Sequence, residues 1–207
     1  MDGLLISFEG PEGAGKTTQI QLLAKSLEPL GVPVEIIREP GGTILGEKIR
    51  EILLDPDQKI CPEAEVMLYA AARAELVQTV IKPCLRNGTI LLCDRFLDAS
   101  IAYQGGGRGL GANQVRQANN LAVAGICPKL TVLLDIEPKN GLNRIRTRQS
   151  LPDRIERESI SFHTTVRQAY LTAAAAEPDR FMVIDALLSP EQINAVIKAK
   201  VLELIND

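Results

Sequence analysis

Residues Gly10 to Thr17 read GPEGAGKT, a match to G-x-x-x-x-G-K-[ST] set between an apolar run, Leu4–Phe8, and a helical pattern beginning near Gly15. In that strand–loop–helix setting the spacing suits a loop that cradles the phosphates of a nucleoside triphosphate. Its glycines let successive backbone N–H groups turn inward, where a Cβ would obstruct or strain the chain. The first helical turn adds free N–H groups and the positive end of the helix dipole. Lys16 sharpens the reading, because a cation at a helix N-terminus opposes the dipole by about 0.3–1 kcal/mol unless an anion lies between them. The chemistry expected is phosphoryl transfer. Gly10, Pro11, Glu12, Gly13, Ala14, Gly15, Lys16, Thr17 and Thr18 would form a nucleoside-triphosphate site, with Lys16 on the β- and γ-oxygens and the Thr17 hydroxyl on Mg²⁺.

The elements that position this loop alternate from end to end. Strands are expected at Leu4–Glu9, Val32–Arg38, Thr89–Cys93, Leu130–Asp135 and Phe181–Asp185, with helical patterns between them. This predicts an α/β, three-layer architecture: a five-stranded parallel sheet with helices on both faces, in one domain over residues 1–207. A long helix is expected from Pro62 towards Asn87, bent or ended by Pro83. Two further helices, around Asp98–Tyr103 and Asn113–Ala124, are expected to flank a flexible glycine-rich loop. A charged segment, Arg148–Asp153, leads to a helix from about Glu156 to Ala176.

Ligands of open parallel sheets sit outside the carboxyl ends of the strands. Those ends carry Glu9, Arg38 and Glu39, Asp94 and Arg95, Asp135, and Asp185. Asp94, following a fully apolar strand, suits an acid that holds Mg²⁺, often through water. Arg38 and Arg95 can each grip a phosphate bidentately, which lysine cannot. Asp135 and Asp185 read as ordinary polar strand ends.

Bulk properties exclude several classes. A net charge of -3 and a pI near 5.4 argue against a general nucleic-acid binder. Cys61, Cys84, Cys93 and Cys127 make no C-x-x-C pair, and the single His163 completes no zinc set with them, so reduced thiols in a cytoplasmic protein are expected. No apolar run approaches a membrane span, and the short, acid-bearing stretch Met1–Phe8 does not read as a secretory signal. Asn87-Gly88-Thr89 is taken as a chance match to a glycosylation acceptor. A G-x-G-x-x-A match within Gly105–Ala112 follows no strand, which rejects a dinucleotide fingerprint.

Phe8–Thr18 (FEGPEGAGKTT), Arg38–Thr43 (REPGGT), Asp94–Arg108 (DRFLDASIAYQGGGR) and Asp153–Glu156 (DRIE), in this order and spacing, resemble the thymidylate kinase family over almost the whole chain. The resemblance implies a P-loop nucleotide kinase fold, dTMP and ATP as partners, Mg²⁺ with ATP, and a homodimer. It implies that Lys16, Asp94, Arg95 and a lid arginine are catalytic and that Arg38 and Arg95 hold the acceptor phosphate. It also gives Tyr69, one helical turn from Arg73, as the residue stacking on thymine, and Arg73 as donor to its O4. Ser100 and Gln104 complete the base and acceptor contacts, Tyr103 lies against the 2′ face of the sugar, and Glu12 meets the 3′-OH.

Arg144, Arg146, Arg148 and Arg154 form a cluster with no acid between Arg144 and Asp153, unlike a solvated helix face. The phosphate loop itself carries no arginine. By resemblance this is the form that supplies its arginine from a lid at about 144–156, with Arg148 the first choice, Arg154 assisting and Arg144 beside ATP. Such an arginine is worth about 10³–10⁵ in rate. Another P-loop nucleoside or nucleotide kinase stays open, as does a non-catalytic nucleotide-binding module. A guanine-nucleotide switch is disfavoured, since no N-K-x-D occurs.

Overall fold

The structure, a computed structural model, describes residues 3–146 and 151–206. Five parallel strands, β1 (Leu4–Glu9), β2 (Val34–Arg38), β3 (Ile90–Asp94), β4 (Leu130–Asp135) and β5 (Phe181–Asp185), lie in the order β2-β3-β1-β4-β5. The register aligns Arg38 with Asp94, and Asp94 with Phe8. The strand exits that carry the charged residues therefore open along one edge. The central strands are apolar on both sides because helices cover both faces. On one face, helix α1 (Lys16–Leu27) and the closing helix α9 (Pro190–Asn206) pack on Ile6, Phe8, Leu92, Val132 and Leu134. On the other, Leu5, Leu91 and Cys93 meet the end of α3 (Pro62–Leu76) and the turn after it.

Three local expectations are corrected. Pro83 does not end its helix: α3 runs through a π-helical turn, Val77–Ile81, into α4 (Lys82–Arg86). The wide turn closes with Lys82 N–H donating to Val77 O and moves the preceding carbonyls out of the way of the proline ring. The glycine-rich stretch is not a flexible loop. Helix α5 (Leu97–Ser100) continues as π-helix over Ile101–Gly107, and α6 (Ala112–Val123) follows. A Cβ on Gly106 would lie 2.7 Å from the Ala169 side chain, and one on Gly107 would lie 2.5 Å from the Phe162 ring. These glycines let the π segment press on α8 (Ile160–Ala176), which starts at the Ser159 cap rather than near Glu156.

Candidate active site

The phosphate loop is shaped by contact as well as by sequence. Gly13 has φ +72° and faces Gly141 of α7 (Pro138–Arg146): a Cβ on Gly13 would fall 2.1 Å from Gly141 O. A Cβ on Gly141 would fall 2.0 Å from Glu12 O. Helix α7 is thereby seated on the loop, and Arg144 from its last turn donates to Gly13 O at 3.4 Å and Ala186 O at 3.0 Å. Lys16 is buried and donates to Gly10 O and Pro11 O, each at 3.2 Å. Burial, then the nearby Arg95 charge, push its ammonium pKa down. The Thr17 hydroxyl donates to Asp94 Oδ2 at 2.9 Å.

Gly13, Gly15, Lys16, Thr17 and Asp94 line a polar, solvent-open cavity with Thr18, Arg38, Arg50 and Glu156. Thr17 and Asp94 place two hard oxygen ligands side by side at its wall, which fits Mg²⁺ bound chiefly by phosphates and water. Among the described residues no cluster of three acids, histidines or cysteines offers a fuller protein cage.

A second cavity adjoins the first and is lined by Tyr69, Arg73, Ser100, Tyr103, Gln104 and Ile155, among others. Glu12, Glu39, Arg50, Arg95 and Asp153 border both. Arg95 is the hinge of the arrangement. Its φ of 72° is a left-handed geometry rare for a residue with a Cβ. Its Nη1 donates to Gly10 O at 3.2 Å and Tyr170 Oη at 3.1 Å, its Nη2 to Glu12 at 2.6 Å and Tyr103 Oη at 3.1 Å. Burial would raise the Glu12 pKa, but Arg95, Lys16 and the Tyr103 hydroxyl bring it down to about 2.

The wall of the second cavity is built around Arg73, which is 1% exposed. Its Nε donates to Glu39 at 2.8 Å, its Nη1 to Asn119, and its Nη2 to Phe96 O at 3.2 Å and Ser100 Oγ at 3.1 Å. Tyr69 stands half-buried one turn earlier, its hydroxyl pKa raised by burial to about 12. Arg38 borders the first cavity, half-exposed and paired with Glu47 at 2.7 Å. Arg154 donates to Glu65 and to Leu53 O. Arg148 lies outside the described residues.

Sequence reasoning missed Arg50, which donates to Pro40 O at 3.1 Å and reaches both cavities; it lies in mid-helix α2 (Ile44–Leu54), where no local pattern marks it. It also named Glu9 without a role. That carboxylate accepts from Ser7 Oγ, Phe96 N and Tyr170 Oη, so it braces the Arg95 turn from below. Asn119 gave no signal, since only the fold brings α6 to Arg73.

A family model described as thymidylate kinase matches residues 8–197. A thymidylate kinase of Deinococcus radiodurans is 49% identical over 201 residues, 97% of each chain. One of Pelobacter propionicus is 50% identical over 207 residues, covering 97% of this chain and 94% of its own. Among solved structures, the crystal structure of thymidylate kinase from Ehrlichia chaffeensis superposes with a TM-score of 0.78 at 32% identity, covering 98% of this chain and 99% of that one. Similarity of that extent, over the loop and both cavities, means that this chain belongs to the thymidylate kinase family.

Proposed function

We propose that the chain transfers the γ-phosphoryl group of ATP to the 5′-phosphate of dTMP, giving dTDP and ADP, with residue roles as follows. The observation that carries the assignment is the position of Arg95, whose guanidinium bonds the donor loop at Gly10 and Glu12 and also Tyr103 of the second cavity. A cation there meets both phosphate groups as charge passes between them. The acceptor is already an anion, so the site needs no strong base; alignment and charge neutralisation suffice. Lys16 and the loop N–H groups hold the donor. Arg38, Arg50 and Arg95 hold the acceptor phosphate. Thr17 and Asp94 are suited to hold Mg²⁺, which when bound neutralises phosphate charge. Glu12, kept ionised, accepts from the sugar 3′-OH, and Tyr103, fixed by Glu12 and Arg95, fills the space of a 2′-OH. Tyr69 stacks on the base, and Arg73 donates to O4 while Ser100 and Gln104 complete the pocket.

The whole chain works as one domain in this reading, with the stretch around 144–156 bordering the donor site. A homodimer is supported by exposed Leu45 and Ile52 on α2, Met67 on α3 and Leu121 on α6, neighbouring helices with apolar side chains in solvent. Cytoplasmic residence is supported by four free cysteines. Among the described residues no helix is long and apolar enough to cross a membrane. A coupled ADP-release assay with and without dTMP tests the assignment. ADP release that depends on dTMP and yields dTDP is expected; no dTMP-dependent release would refute it.

A further inference from the structure

Glu65 lies on α3 one turn before Tyr69, is 0% exposed, and touches neither cavity wall directly. Its carboxylate collects donors from two other parts of the chain. Gln104 Nε2 donates to Oε1 at 2.7 Å, Arg108 Nε reaches both oxygens at 3.2 and 3.3 Å, and Arg154 Nη1 donates to Oε2. Arg108 is itself paired with Glu158. Burial would raise the Glu65 pKa, yet the bonds from Gln104, Arg108 and Arg154 hold it below the usual carboxylate range. The group is therefore ionised at neutral pH and can only accept.

That restriction passes to Gln104, which lines the second cavity beside Arg73 and Ser100. A side-chain amide has one donating and one accepting arm, and its orientation follows from its partners. Facing an accept-only carboxylate, Gln104 must spend its NH₂ on Glu65. Its carbonyl oxygen is the arm left for a ligand. Arg73, locked by Glu39 and Asn119, can only donate. The pocket then presents a fixed donor near a fixed acceptor. Thymine and uracil match this with an O4 acceptor next to an N3–H donor; cytosine has the reverse, an amino donor next to an N3 acceptor.

We propose that Glu65 is a specificity-determining positioning residue, which never touches the nucleotide but fixes the Gln104 amide so that it accepts from the N3–H of the acceptor base. This rests on the dTMP kinase reading above. A glutamine in place of Glu65 can accept or donate, so the Gln104 amide becomes free to turn over. Glu65→Gln should lower the ratio of kcat/KM for dTMP to that for dCMP by about tenfold or more, while Glu65→Asp, still accept-only, should keep the ratio. A residue that merely supports the fold would depress both substrates together; an unchanged ratio in Glu65→Gln overturns the proposal.

Glu65→Gln leaves Arg108 and Arg154 short of a counter-charge. The charge-balanced Glu65→Gln/Arg154→Met variant is therefore assayed beside it, and decides if the single variant does not fold. Wild-type protein supplies a measurement that needs no substitution: 3-methyl-dTMP, which lacks the N3–H, should bind at least about tenfold more weakly than dTMP. Equal binding would overturn the proposal. Absence of dTMP-dependent transfer by the wild type would instead fault the functional assignment, so the two failures are distinguishable.

Discussion

Arg95 Nη2 and Glu12 Oε1 stand 2.6 Å apart at the seam between the two cavities, an ion pair that joins the phosphate loop to the exit of β3. The pair is part-buried and its arginine sits on a left-handed backbone, a geometry that persists only when its surroundings hold it. Here Glu9 binds the next N–H, and Tyr170 links Glu9 to the guanidinium. Arg95→Ala should cost about 10²–10³ in kcat by removing preorganised charge. It should also release Glu12 from its low pKa of about 2, since Arg95 is the leading attraction holding it there. Steady-state kinetics with carboxyl NMR titration measures both; an unmoved Glu12 would show that the pair does not control its charge.

The seat of α7 on the loop offers a test by size alone. Gly31→Ala and Gly13→Ala both impose a positive φ on alanine, at +68° and +72°. Only Gly13 also meets a backbone oxygen, 2.1 Å from the added Cβ, whereas nothing lies within 4 Å of Gly31. Gly31→Ala should cost about 1–2 kcal/mol and leave ATP binding intact. Gly13→Ala should cost about 1–3 kcal/mol more and weaken ATP binding at least tenfold. Thermal unfolding and ATP titration of the two variants would show it, and equal effects would mean α7 can withdraw without consequence.

Most of the architecture was legible because apolar runs such as Ile90–Cys93 have one stable use, a strand covered on both faces. The phosphate loop was legible because its glycines and lysine fall within one short stretch, Gly10–Thr17. What escaped was set by tertiary contact. Pro83 reads as a helix breaker until a π turn relieves it, and Gly106 and Gly107 read as loop until Ala169 and Phe162 are seen to require small residues. Arg154 reads as part of a basic cluster, and its pairing with Glu65 is visible only in the fold. Arg50 carries no motif, and neither do Asn119 and Glu65, whose partners Arg73, Gln104 and Arg154 lie far away in sequence.

Arg73→Lys separates charge from geometry in the proposed base pocket. The guanidinium fork serves Glu39, Asn119, Ser100 and the Phe96 carbonyl at once, and an ammonium cannot span those directions. Retaining the charge spares Glu39 a fully unpaired burial. We expect KM for dTMP to rise about tenfold to a hundredfold, matching the ~1.5–3 kcal/mol of a charged hydrogen bond, with a smaller change in kcat. A fall confined to kcat would place Arg73 in the phosphoryl-transfer step instead of base binding.

Glu9 makes stability depend on pH in an unusual direction for an acid. Burial, and then repulsion from Asp98, raise its pKa from 4.5 to about 7 against the pull of Arg95 and the bonds from Ser7 and Phe96. The folded protein then binds a proton that the unfolded chain gives up between those two values. The stabilisation is fully present below pH 4.5 and is lost as pH rises through 7, an effect on the order of 3 kcal/mol. Glu9→Gln keeps an oxygen for the Phe96 N–H and cannot ionise. Its stability relative to wild type should therefore improve by roughly that amount between pH 4.5 and 8, read from denaturant unfolding at both. A difference that stays constant across the interval would mean that Glu9 ionises in the folded protein as it does in the unfolded chain, and that the charge beneath Arg95 is permanent.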